Sequence, residues 1–258
     1  MTDASLKDLR VLITAGAGGI GAEMARQFAE RGARVYVCDI AQENLDKLHK
    51  ETGIAGTLAD VADIAAVGRV FTDVAARLGG LDVLVNNAGI TGPMGLIEDL
   101  PPAEWERTYA INVHGMFYCL QRGVPMLKQA KGGLIINVSS VAGRLGYPLR
   151  TAYSSSKWAV VGLTQGLAME LGPQNIRVNA ILPGWVGGER HERNFLRRAT
   201  LLGIEPEELR WRTYSRISLR RAVSAADVAA MAVFLASPGG KNISGQSLGV
   251  CAGVETLG

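Results

Sequence analysis

Residues 10–21, Arg10-Val11-Leu12-Ile13-Thr14-Ala15-Gly16-Ala17-Gly18-Gly19-Ile20-Gly21, run an apolar strand into a glycine-rich turn and the start of a helix. Glycines in such a turn let backbone N–H groups approach a pyrophosphate, and the helix N-terminus behind it adds a favourable dipole. A glycine-rich turn alone is weak evidence, since any turn uses glycine; the strand before it and the helix after it give it meaning. Gly16, Gly18, Gly19 and Ile20 are therefore expected at a cofactor. Asp39 closes the next strand, about 18 residues past Gly21, where a carboxylate accepts hydrogen bonds from an adenosine ribose and repels a 2′-phosphate. No arginine in the turn or directly after Asp39 offers to hold that phosphate, so NAD is preferred over NADP.

The pattern continues outward from this unit. Strand-like runs at 10–14, 34–39, 54–59, 82–86, 134–139 and 177–182, with a last one near 247–251, alternate with helical patterns at 20–31, 64–78, 102–130, 151–171 and 225–236. Nearly continuous apolar strands with helical crossovers indicate a parallel sheet covered on both faces. We expect an α/β, Rossmann-type doubly wound sheet of about seven strands. No linker or repeat divides the chain, so residues 1–258 read as one domain. Residues 189–221, rich in Arg and Glu, break the rhythm and read as a helical substrate lid.

Composition excludes several classes. Hydrophobic residues make up 48% and charged residues 20% of the 258, ordinary for a soluble globular protein. No apolar run approaches the ~20 residues of a membrane span, and the first ten residues lack a signal-peptide layout. A net charge of +3 is too small to argue for nucleic acid, and the lid arginines alternate with glutamates as in a solvated, salt-bridged helix pair. Cys38, Cys119 and Cys251 are odd in number and set in apolar surroundings; they read as buried free thiols of a cytoplasmic protein, with no metal site.

The chemistry is carried by Tyr153-Ser154-Ser155-Ser156-Lys157. A phenol and an ammonium four residues apart share one helix face, and the cation favours the ionised phenol. Together with the glycine turn, Asp60, Asn86-Asn87-Ala88-Gly89, Asn112, Ser140 and Pro183-Gly184, this pair makes the whole chain resemble the short-chain dehydrogenase/reductase family. The resemblance implies hydride transfer between a nicotinamide and a secondary alcohol or ketone. It makes Tyr153 the acid/base, Lys157 its electrostatic partner and a contact of the nicotinamide ribose, and Ser140 a donor to the substrate oxygen. Asn112, at a kink in the long fourth helix, would position a water beside the lysine. By the same resemblance Asp60 and Val61 meet the adenine, and Ile40 joins Asp39 as a cofactor contact. Asn87, Ala88 and Gly89 line the cleft, and Pro183, Gly184 and Val186 pack near the nicotinamide.

Two positions depart from the family pattern. Ala15 stands where the first loop glycine is expected, and Gly188 stands where many relatives carry a threonine. On the substrate side, Arg150 precedes Tyr153 by three residues, a position that carries a carboxylate-binding cation in relatives that oxidise 3-hydroxy acids. The alternative is an ion pair between Arg150 and Glu189 or Glu192. Arg144, Arg190 and Arg193 add positive charge at the mouth, Trp185 and Trp211 are candidate pocket walls, and His191 faces either substrate or solvent. The expected substrate is a polar hydroxy acid or sugar-derived acid. Competing readings are an NADPH-dependent ketone or 3-oxoacyl reductase and a non-catalytic dinucleotide sensor. The resemblance also implies a homotetramer paired through the helices at 102–130 and 151–171.

Overall fold

Alternation along the first strand separates two apolar layers: Val11 and Ile13 enter one buried cluster and Leu12 the other. The computed structural model describes residues 6–257, apart from the side chains of residues 189–191. In chain order the strands are β1 (Arg10–Thr14), β2 (Arg34–Asp39), β3 (Ala55–Leu58), β4 (Val83–Asn86), β5 (Gly133–Val138), β6 (Ile176–Pro183) and β7 (Ser247–Val250). The helices are α1 (Gly19–Glu30), α2 (Gln42–Thr52), α3 (Ile64–Leu78), α4 (Pro102–Tyr109), α5 (Met116–Gln129), α6 (Thr151–Leu171), α7 (Glu189–Leu202), α8 (Pro206–Tyr214) and α9 (Ala225–Ala236).

All seven strands pair in parallel, in the order β3-β2-β1-β4-β5-β6-β7. One face is covered by α1, α2 and α9, through Phe28, Leu45, Leu48 and Val228 among others. The other is covered by α3, α5 and α6, through Val70, Phe71, Leu120 and Val160. Burying Phe28 completely is worth about 1.5–3 kcal/mol. The doubly wound, single-domain reading therefore holds. Strand order reverses between β1 and β4, and in such sheets ligands sit beyond the carboxyl ends of the strands at that reversal.

The helix expected at 102–130 is not continuous. A π-helical turn, Ala110–Gly115, separates α4 from α5 and carries Asn112 inward, where it is fully buried. Helix α2 has no counterpart among the helical patterns named above, because Leu45 and Leu48 are its only buried residues and the rest is polar. The 189–221 segment is helical, forming α7 and α8, and isolated bridges Val186–Val223 and Ile217–Val254 fasten its ends.

Candidate active site

Two glycines of the turn, Gly16 and Gly21, sit where the packing leaves no room for a side chain. A Cβ on Gly21 would run into the Ala15 carbonyl and lie 2.7 Å from Asn87 Nδ2. Asn87 Nδ2 donates to the carbonyls of Thr14 and Ala15, both at 3.0 Å, so the end of β4 grips the turn after β1. Thr14 Oγ1 accepts from the amides of Asn87 and Ala88, also at 3.0 Å. Gly18 caps α1 with backbone alone, and the first turn of α1 carries no acidic residue. An uncapped helix N-terminus bordering a cleft suits an anionic pyrophosphate.

Asp39 is buried at the end of β2, where its oxygens accept from the amides of Ala17 and Ala41, each at 3.1 Å. Two backbone donors fix the carboxylate and leave lone pairs for further hydrogen bonds. Ala15 adopts φ 47°, the left-handed conformation that glycine takes without strain. Gly188 has φ 129° at the N-terminus of α7, so a threonine there would be strained by the backbone this chain adopts.

Helix α6 holds Tyr153 and Lys157 on one face. Lys157 is buried; its Nζ donates to the Val138 carbonyl at 2.9 Å and lies 5.8 Å from the centre of the Tyr153 ring. Ser139 Oγ donates to the Lys157 carbonyl at 2.8 Å, and Ser154 Oγ to the Ala142 carbonyl at 3.0 Å, pinning α6 against the loop after β5. Ser140 turns its hydroxyl to the same cleft and accepts from the Ala142 amide at 3.1 Å. Asn112 sits behind the lysine, bonded to both backbone groups of Ile90 and to Ser156.

A cleft of about 710 Å³ joins these parts. Of the residues expected at the site, Gly18, Gly19, Ile20, Asp39, Asn87, Gly89, Ser140, Arg150, Tyr153, Lys157, Pro183, Gly184, Trp185 and Val186 border it, as does Arg193. Six do not. Gly16 is packed against Val37, Ile40 is 66% exposed, Asp60 is paired with Arg107 at 2.5 Å, and Val61 is buried beside Gly115. Ala88 and Asn112 act from behind the wall through the bonds above. Arg144 Nη2 is directed to Cys251 Sγ at 3.7 Å, away from the mouth, and Trp211 is 71% exposed on the outer surface of α8. The side chains of Glu189, Arg190 and His191 lie outside the described residues. Glu192 is bonded to Arg210 at 2.8 Å.

Sequence reading missed Asn44, Thr91, Met94, Tyr147, Asn194, Arg198 and Leu257, which also border the cleft. Tyr147 meets Trp185 edge-on, with ring centres 6.1 Å apart. Burial raises its phenol above the ordinary value, against the pull of Arg198 and Arg150. Arg150 is buried, 5.4 Å from the centre of the Tyr153 ring and 5.9 Å from that of Tyr147. The three cysteines are buried and free, and burial pushes the Cys38 thiol up to about 12. No helix among the described residues is long and apolar enough to cross a membrane.

The profile described as short chain dehydrogenase matches residues 10–197. The chain belongs to the short-chain dehydrogenase family. A probable galactose dehydrogenase of Rhizobium meliloti is 37% identical, with 96% of each chain covered. A 3-oxoacyl-[acyl-carrier-protein] reductase of Thermotoga maritima is 38% identical over 94% of this chain and 96% of the relative. A trans-4-hydroxycyclohexanecarboxylate dehydrogenase of Sinomonas cyclohexanicum is 36% identical over 96% and 92%. The crystal structure of an NAD⁺-bound xylitol dehydrogenase superposes with a TM-score of 0.91 at 30% identity, over 96% of this chain and 99% of that one. As a short-chain dehydrogenase, the protein is an oxidoreductase of alcohol and carbonyl groups that uses a nicotinamide dinucleotide.

Proposed function

We propose that this short-chain dehydrogenase oxidises a secondary hydroxyl of a polar hydroxy acid, with NAD as its cofactor. The observation that carries the substrate class is Arg150, a buried guanidinium bordering the cleft beside the Tyr153 ring. Guanidinium groups bind carboxylates bidentately, and a cation beside the reacting centre favours an anionic substrate. A relative named for a hydroxycyclohexanecarboxylate and another named for a sugar are consistent with this class. Asp39 supports NAD, because its buried carboxylate faces the cleft where a 2′-phosphate would meet like charge.

In this reading Tyr153 takes the proton from the substrate hydroxyl and Ser140 donates to the same oxygen as negative charge develops on it. Lys157 holds positive charge beside the phenol, and Asn112 fixes the segment behind the lysine. The bound nicotinamide supplies the hydride acceptor. The glycine turn, the N-terminus of α1, Asp39 and Asn87 would hold the dinucleotide, while Gly16, Ala88, Asp60 and Val61 act through the shape of the walls. Helices α7 and α8 serve as a lid over the substrate end. Exposed Phe117, Trp158 and Met169 on α5 and α6 support pairing of these helices in a homotetramer.

The experiment is a panel of hydroxy acids and matched neutral alcohols, read by NADH absorbance in the parent protein and in Arg150→Met. The reading expects KM to rise far more for the acids than for the neutral alcohols; equal rises on both would overturn it. The 3-oxoacyl reductase relative favours a second reading, reduction of an acyl ketone with NADPH. A steady-state comparison of NAD with NADP separates the two.

A further inference from the structure

Arg198 is a cleft-lining guanidinium that the chemistry above leaves without a task. It comes from the third turn of α7 and borders the substrate end of the cleft beside Trp185 and Leu257. Its Nη2 donates to the Leu257 carbonyl at 3.1 Å. Its Nε is buried with no hydrogen-bond partner, and among the described residues no carboxylate pairs with it. Of the glutamates in the same segment, Glu192 and Glu207 pair with Arg210, and Glu208 with Arg212. Arg198 rests instead on two aromatic faces, 5.3 Å from the centre of Tyr147 and 6.0 Å from that of Trp185. A guanidinium drawn partly out of water with no counter-charge is unfavourable unless a ligand supplies that charge.

Its place relative to the chemistry gives the ligand's shape. Arg150 touches both the Tyr153 and the Tyr147 rings, whereas Arg198 touches Tyr147 and Trp185. The series Tyr153, Arg150, Tyr147, Arg198 therefore leads away from the reacting hydroxyl, and Arg198 stands one aromatic ring further out than Arg150. Of the two, only Arg150 lies against the Tyr153 ring, so on this ordering the carboxylate of a 3-hydroxy acid, two carbons from its carbinol, would meet Arg150 first and a longer acid would extend toward Arg198.

We propose that Arg198 is a second anion-binding residue that sets substrate length: the preferred substrate is a polyhydroxy acid whose carboxylate, several carbons from the reacting carbinol, lies between Arg150 and Arg198. This deepens the hydroxy-acid reading and rests on it.

Arg198→Gln is the informative variant, because it removes the charge and keeps a polar amide donor on the same helix face. Three substrates are compared: a six-carbon aldonate, a short 3-hydroxy acid and the neutral alditol matching the aldonate. Arg198→Gln is expected to lower kcat/KM for the aldonate by about 10–100-fold, the range of one charge-assisted pair, and to leave the other two within about threefold. Arg198→Lys restores part of the loss. Adipate, an unreactive dicarboxylate, is expected to raise the melting temperature of the parent protein and to lose that effect in Arg198→Gln. Equal losses on aldonate and alditol, or an unchanged aldonate rate, overturn the proposal. If Arg150→Met discriminates acids from neutral alcohols while Arg198→Gln does not, this proposal alone fails. If neither variant discriminates, the hydroxy-acid reading fails with it.

Discussion

Asn112 Nδ2 donates to Ser156 Oγ at 3.0 Å, which ties the π-turn to the helix that carries Tyr153 and Lys157. The second amide hydrogen goes to the Ile90 carbonyl at 3.0 Å, and Oδ1 accepts from the Ile90 amide at 2.8 Å. Every polar atom of this buried side chain is satisfied, and Ser156 Oγ in turn donates a hydrogen bond to the Tyr153 carbonyl at 2.7 Å. Asn112→Ala therefore strips two backbone groups of Ile90 of their partners, at a cost of about 1–3 kcal/mol for each group left buried. Urea denaturation and kcat should both fall. An Asn112→Ala protein of parental stability would show that this tie holds nothing together.

The turn after β1 carries a small strain that can be released. Ala15 stands at φ 47°, where an L-residue is disfavoured by about 1–2 kcal/mol. Glycine removes that strain but gains freedom in the unfolded chain, which offsets about 0.5–1 kcal/mol. Ala15→Gly is expected to leave stability unchanged or raise it by up to about 1 kcal/mol. A drop in melting temperature would mean that the Ala15 methyl packs more favourably than the backbone suggests.

Acid should weaken the start of the sheet through one ion pair. Arg10 holds Asp82 with Nε at 2.8 Å and Nη2 at 2.7 Å, and its backbone amide adds a third bond at 2.9 Å. Burial pushes the Asp82 carboxyl up, but the Arg10 bonds and charge outweigh it and leave the group below its ordinary value. A depressed native value contributes stability above the unfolded value, near pH 4, and that contribution is lost as pH falls through the native one. Asp82→Asn should cost about 1–3 kcal/mol at pH 7, with the gap to the parent closing below about pH 4. Denaturant titrations at the two pH values check it; a gap independent of pH would contradict it.

Cofactor choice should follow Asp39. Asp39→Asn keeps an oxygen for the Ala17 amide while removing the charge. The ratio of kcat/KM for NAD to that for NADP should fall by about tenfold or more, as a like charge facing the 2′-phosphate disappears. A parent protein that prefers NADP would refute the assignment outright.

What the sequence disclosed depended on whether a residue's task was local. The glycine turn, Asp39 and the Tyr153–Lys157 spacing act within one element, so their placement could be read from strand, turn and helix periods. β1, β2, α3, α6 and α9 fall where the apolar pattern ends, because Asp63 and Ser224 cap two of the helices with side-chain bonds. The kink at Asn112 was expected only from the resemblance, and the π-turn Ala110–Gly115 lies there; the apolar pattern at 102–130 by itself read as one continuous helix. Tyr147, Arg198 and Leu257 were invisible for another reason: they converge on one cleft wall from three separate parts of the chain. Arg198 lies in a run of alternating charge, and nothing in that run separates it from Arg210 and Arg212, which are ion-paired with glutamates.

The most direct test is turnover by Tyr153→Phe, which removes one hydroxyl from the cleft and keeps the ring against Arg150 and Lys157. With NADH binding followed by fluorescence, the dinucleotide should bind as in the parent, while kcat falls by about 10²–10⁴-fold at neutral pH. A variant that binds the dinucleotide and still turns over at the parental rate would contradict the assignment of Tyr153 as the group that moves the proton.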